Sequence, residues 1–289
     1  MVGASDEQML DLHKGRPIYD YRSLLGLQME MIRTRSSVGM DYRMIPVYYT
    51  YSEMYFNGAT RQNVEWSKMF KVETFPFPKV EPTEAEMQRK WDEEMNAWSI
   101  SDECSAFHGL NLDEALSHSV CPVGKIICFR LGSLESNDGC AKHIAVKAIA
   151  EVVTRKVGHM IIYFQDPHYL EVDKEIIKKN ISMENLSVKF LLEPQGFMDC
   201  DGSTLVIMFN PQAPFRQIIE NYTSDKEDSS PCAIICAPWD VRKPLDGPGD
   251  ESSYRIVEWL GAENIMKIPF TGPESSWGQT TLHIETPEG

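Results

Sequence analysis

Short, continuously apolar runs punctuate the second half of the chain: IICF at 126–129, MIIYF at 160–164, LVIMF at 205–209 and AIIC at 233–236. Runs of this length suit strands covered on both faces, and the 3.6-residue periodicity between them suits amphipathic helices. The pattern predicts strands over 125–131, 160–164, 188–192, 204–209, 233–237 and 264–268. Helices are predicted over 140–157, 170–179, 214–222 and 252–260. Strands alternating with helices imply a parallel sheet joined by right-handed crossovers.

The helix after the first strand shows how this patterning directs packing. Ala141, Ile144, Ala145, Ala148, Ile149, Val152 and Val153 fall on one side, and the alanines permit close approach to a sheet. Lys142, Lys147, Glu151 and Arg155 fall mostly on the other side, expected to face solvent. Gly158 and Gly261 stand where helices stop, and Pro214 stands in a first turn, which tolerates proline.

The first 82 residues follow a different pattern and are expected to form a mainly helical or irregular extension packed on the core. A short helix is predicted at 6–13 and a longer one at 21–35, and 42–51 is rich in strand-forming residues. The three prolines within 70–82 mark a connector rather than a strand or helix. Tyr48, Tyr49, Tyr51, Tyr55, Phe56 and Trp66 form an aromatic concentration that either lines a groove or packs against the next domain. Residues 83–98 then form a helix, with Thr83 and Glu86 as a capping box and Met87, Trp91, Met95 and Trp98 as its apolar stripe. A short helix is expected at 113–118. The fold class is α/β: a Rossmann-like open, mostly parallel sheet flanked by helices over 83–289, with its core at 122–270.

Charge narrows the partners. With 28 basic and 43 acidic residues the net charge is −15, which opposes broad nucleic-acid binding. It leaves room for a small anion held locally by backbone amides. No run approaches the roughly 18 apolar residues of a membrane span. The polar start MVGASDEQ lacks the apolar core of a signal peptide. Seven cysteines, an odd count, fit reduced thiols in the cytoplasm or nucleus, with Cys128, Cys232 and Cys236 buried in strands. No His/Cys spacing marks a metal site.

In open α/β sheets, ligands bind outside the carboxyl ends of the strands. Those ends carry Gly132-Ser133, Asp166-Pro167, Glu193-Pro194, Asn210-Pro211 and Pro238-Trp239-Asp240. The expected ligand edge is therefore Gly132, Ser133, Asp166, Glu193, Asn210 and Pro211. Each has a structural alternative. Gly132 suits either a tight turn or a ligand contact, and GSLESNDG is not the GxGxxG dinucleotide fingerprint. Asp166 suits either a ribose-binding acid or an Asp-Pro turn or helix cap. Asn210-Pro211 matches in part the Asn-Pro-Pro of some methyltransferases, but Gln212 follows. His143 and His168 lie nearest this edge, as acid–base groups or as surface and capping residues. No catalytic order can be defined from spacing.

The segments KIICFRLGSL, AVKAIAEVV, IIYFQDPHYLEVDKEII, FLLEPQGFMDCDGSTLVIMFNP and CAIICAPW resemble the SRR1-like domain (sensitivity to red light reduced), most closely its fungal members. The resemblance spans roughly 122–240. Arg130 departs from it, standing where a small residue or glycine is expected after the first strand's phenylalanine. The resemblance implies a Rossmann-like domain and a regulatory association. Plant and animal relatives are linked with circadian timing, light signalling and haem biosynthesis, and a yeast relative with microtubule-related processes. No reaction comes with it, and no cofactor is named. Two readings follow: a non-catalytic regulatory module binding a small ligand or protein partner, or an S-adenosylmethionine-dependent methyltransferase or other nucleotide-cofactor enzyme. Haem binding is a weaker reading, since no spacing marks an axial ligand.

Overall fold

The computed structural model describes residues 19, 21–38, 42–49, 69–78, 81–155, 159–209, 214–223, 230–237, 264–271 and 278–287. Its centre is strand β3 (Lys125–Phe129), buried along four of its five residues. β3 pairs in parallel with β4 (Met160–Gln165) on one side and β6 (Thr204–Met208) on the other. Beyond β4 lies β5 (Leu186–Phe190), and beyond β6 lies β7 (Ala233–Cys236), both also parallel. β8 (Ile265–Thr271) and β9 (Thr280–Glu285) form an antiparallel pair, and β9 inserts against β7. The full order is β5-β4-β3-β6-β7-β9-β8. The chain steps outward from β3 to β5 and then crosses back to β6. The carboxyl ends of β3 and β6 thus flank a topological switch point.

Alternate strand residues enter two separate cores, as the two-residue side-chain period requires. Ile126, Cys128, Leu205 and Ile207 face one core, and Ile127, Phe129, Val206 and Met208 face the other. The first core is covered by α2 (Glu84–Ser99), α5 (Gly139–Val153) and α6 (Glu171–Ile181), with α3 (Asp102–Gly109) and α4 (Leu112–Ser117) beside them. The expected capping box of Thr83 and Glu86 is present, and Met87 and Trp91 are each 2% exposed beneath α2. The second core is covered by α1 (Tyr21–Val38), an N-terminal hairpin, the short α7 (Gln195–Met198) and α8 (Phe215–Thr223).

That hairpin pairs β1 (Tyr42–Tyr48) with β2 (Phe70–Pro76), antiparallel, as a sheet of its own. The connector expected at 70–82 is thus half strand. A two-stranded ribbon has only edge strands, so Pro46 and Pro76 sit in it without interrupting a central ladder. β9 and α3 were not expected from the pattern, and the strand ends differ from expectation by one to three residues. Lys142 is 8% exposed and ion-paired with Asp138 at 2.7 Å, and so does not face solvent. The helices expected at 6–13 and 252–260, the stops at Gly158 and Gly261, and Tyr51, Tyr55, Phe56 and Trp66 lie outside the described residues. No helix among the described residues is long and apolar enough to cross a membrane.

Candidate ligand edge at the strand carboxyl ends

The backbone turns sharply as it leaves β3. Arg130 N–H donates to Gln165 O at 3.1 Å, extending the β3–β4 ladder by one step. Arg130 then takes a left-handed conformation (φ 50°), and Gly132 another (φ 88°). For a residue bearing a Cβ, this backbone costs roughly 1–3 kcal/mol and persists only where surroundings hold it. A Cβ on Gly132 would lie 2.8 Å from Ser136 Oγ, and one on Gly139 would lie 2.1 Å from the Ser133 carbonyl. Glycine at 139 is what lets the first turn of α5 close on the loop.

The loop's amides are occupied by the protein's own carboxylates. Gly132 N–H donates to Asp166 Oδ2 at 2.7 Å, and His168 N–H to Asp166 Oδ1 at 2.8 Å. Leu134 N–H donates to Asp173 Oδ1 at 3.1 Å, and Leu170 N–H to Asp173 Oδ2 at 2.9 Å. Burial raises the Asp173 carboxyl above its ordinary range, against the pull of these donors. From α2, Lys90 Nζ donates to the carbonyls of Glu135 at 3.0 Å and Ser136 at 3.3 Å. Ser133 works inside the loop: its Oγ accepts from Glu135 N–H at 3.1 Å and its carbonyl from Ser136 Oγ at 2.6 Å.

Glu193, just after β5, is held in a second arrangement beside the first. Its side chain is 1% exposed, and its Oε1 lies 2.8 Å from Arg130 Nε, without the alignment of a hydrogen bond. Arg130 Nη2 donates to Glu193 Oε2 at 3.2 Å and to Pro46 O, on β1, at 2.9 Å. Tyr48 Oη, also from β1, donates to Glu193 Oε2 at 3.1 Å. Burial drives the Glu193 carboxyl up to about 7, although Arg130 pulls the other way. The same burial and the Glu193 charge raise the Tyr48 phenol further. The Tyr48 ring makes edge contacts with Phe197 and Phe215 at 5.6 and 5.9 Å. Nearby, Gln165 Oε1 accepts from Gly196 N–H, while the buried Gln165 Nε2 has no partner among the described residues.

Gly132, Ser133, Asp166 and Glu193 thus share one edge, with Gly132 bonded directly to Asp166. Asn210, Pro211 and 238–240 lie outside the described residues. His143 is neither a surface nor a capping residue: it is fully buried, with Nδ1 at 2.6 Å from Gly139 O and Nε2 at 2.8 Å from Tyr169 Oη. Burial lowers its pKa to about 4, so the ring is neutral at physiological pH. His168 is partly buried, its pKa lowered by desolvation, and its carbonyl accepts from Arg43 at 3.5 Å. Tyr48, Asp173 and Lys90 were not anticipated at this edge. Only the aromatic concentration around Tyr48 hinted at its part. A hollow of about 430 Å³, lined by residues including Phe107, His108, Leu112, Val152 and Arg155, contains none of these edge residues.

Among proteins of curated function, none matches this chain. Solved structures with similar backbones include a chain assigned as an O-methyltransferase from Klebsiella pneumoniae, at 14% identity and TM-score 0.39, covering 73% of this chain and 92% of that one. Another is an SAM-dependent methyltransferase from Anabaena variabilis, at 12% identity and TM-score 0.34, covering 73% and 98%. A third is magnesium protoporphyrin IX methyltransferase from Synechocystis, at 9% identity and TM-score 0.35, covering 73% and 91%. The SRR1 domain model matches residues 93–248, taking in β3 to β7, Arg130, Gly132, Ser133, Asp166 and Glu193, while the hairpin precedes it. With more than half of its length matched, the chain belongs to the SRR1 domain family.

Proposed function

We propose that this chain is a non-catalytic regulatory module that holds a small ligand at the carboxyl edge of its sheet. Its setting is regulation of the kind the family resemblance implies, circadian, light-linked or haem-related, in the cytoplasm or nucleus. One observation carries the reading: the edge carboxylates are committed to internal bonds. Asp166 takes a backbone N–H on each oxygen, and Glu193 is shared by Arg130 and Tyr48. A general base must reach a substrate proton, and groups bound this way serve first to fix the loop. Gly132 and Asp166 then form a rim of the edge on the β4 side of the switch point.

A thermal-shift screen of nucleotides, S-adenosylmethionine, NAD(P) and haemin tests this, run on wild type and on Gly132→Ala/Asp166→Ala. A ligand at 100 times its Kd stabilises by about 2.7 kcal/mol. The expected result is one class that raises the melting temperature of wild type but not of the double variant, with no turnover. Turnover of a defined substrate, lost in Asp166→Ala, would refute the reading.

A methyltransferase or other nucleotide-cofactor enzyme is the second reading, favoured by one feature. Asp166 ends the second parallel strand, 2.7 Å from the Gly132 amide, where Rossmann-type enzymes place a ribose-binding acid. Calorimetry with S-adenosylmethionine and NAD(P) tests it, and absence of binding heat for both removes its support.

A further inference from the structure

The hairpin meets the core in an unusual way. β1 and β2 hydrogen-bond to each other along their whole length and to no strand of the seven-stranded sheet. A two-stranded ribbon is marginal alone, so side-chain contacts must hold it. Its polar contacts with the strand ends fall close together: Arg130 to Pro46 O, Tyr48 to Glu193, and Arg43 to His168 O. The partners on the sheet side, Arg130, His168 and Glu193, all lie within the family-matched segment, and the hairpin lies ahead of it. Tyr48 adds its ring to Phe197 and Phe215 beneath. On the other side, Tyr19 Oη donates to Met69 O at 3.0 Å and to Tyr49 O, so the hairpin is tied to residue 19 as well as to the sheet.

We propose that the β1–β2 hairpin is a separable cover over the strand-end crevice, latched by the Tyr48–Glu193–Arg130 contacts. It occupies from within the chain the edge where an open α/β sheet receives its ligand, and it opens as a unit without unfolding the sheet. The proposal rests on the edge being the functional one. Opening would return Glu193 and Arg130 to water and free the carbonyl of Pro46, leaving β3 to β7 paired as before. Arg130 is the hinge point of the latch, because its left-handed backbone aims one guanidinium at both the hairpin and Glu193.

Hydrogen exchange by mass spectrometry on the full chain tests this, comparing wild type, Tyr48→Phe and Glu193→Gln. Tyr48→Phe keeps the buried ring and removes only the hydroxyl. The expected result is that amides of 42–48 and 70–76 exchange at least tenfold faster than those of β3 and β6 in wild type. Tyr48→Phe and Glu193→Gln should each speed the hairpin amides roughly a further tenfold, leaving β3 and β6 unchanged. Hairpin amides exchanging in step with β3 and β6 would overturn the cover. Rates unmoved by either substitution would overturn the latch. The measurement needs no ligand, so its failure is distinct from an empty ligand screen.

Discussion

The two faces of the sheet are closed by different means. On the first, the crossover helices α5 and α6 return directly onto the strands that precede them, and α2 lies over α5. Its buried side-chain bonds span modest separations, His143 reaching Gly139 O and Tyr169 Oη within 26 positions and Asp173 reaching Leu134 N–H across 39. On the second face, contacts join distant segments: Tyr48 to Glu193 across 145 positions, Arg130 to Pro46 across 84, and Tyr19 N–H to Asn221 across 202. Such contacts carry a larger loop-closure entropy. The first face therefore behaves as the scaffold and the second as the part added to it, which is also where a buried ion pair and a left-handed arginine sit.

Breaking the first face should have the largest effect. Trp91→Ala removes a side chain 2% exposed, and urea unfolding should show a loss of about 3–5 kcal/mol. A loss below about 1 kcal/mol would mean that α2 is not part of the scaffold. The second face is sharpened by pH. Burial raises the Glu193 carboxyl from 4.5 to about 7, so between those values the folded chain keeps a proton that the unfolded chain has released. Stability contributed by this group falls as pH rises through that window, by up to about 1.4 kcal/mol per unit. The difference in unfolding free energy, wild type minus Glu193→Gln, should accordingly decline from pH 5 to pH 7. His143 and His283, each lowered to about 4 by burial, act in the opposite direction in both proteins and cancel in the difference. A flat difference would show that Glu193 is ionised throughout. Smallest is Thr83→Ala, which removes the cap of α2 and should cost about 1 kcal/mol by thermal melting.

The scaffold was legible because continuous apolar runs such as IICF and AIIC admit few other readings when helices alternate with them. β9 was not, because TTLHIE buries Thr280, Thr281 and His283 among its apolar residues and so hides the pattern of a covered strand. The burial of Lys142 and His143 was hidden for another reason: a helix's own periodicity does not show what will close over its first turn, which for His143 is Phe164 of β4 and Tyr169 beyond it. At the edge, Gly132, Asp166 and Glu193 could be located as strand ends, since topology alone gathers those. Arg130 registered only as a departure from the family pattern. Nothing local pairs Tyr48 with Glu193 or Leu134 with Asp173, because those bonds exist only once distant segments have met.

The strand β9 has a consequence for the order in which the sheet can be finished. It lies between β7 and β8, and its end is held from two sides: Val120 N–H, before β3, donates to Glu285 O at 2.8 Å, and Glu285 N–H donates to Cys232 O, just before β7, at 3.1 Å. As the chain leaves the ribosome, β7 is complete some fifty residues before its neighbour exists. Until 280–285 emerge, β7 presents an open, wholly buried-type edge of Ala, Ile, Ile and Cys, the kind that other strands readily join. The sheet is therefore most exposed to mispairing at the moment its parallel half is done, and its last strand is the one that seals it.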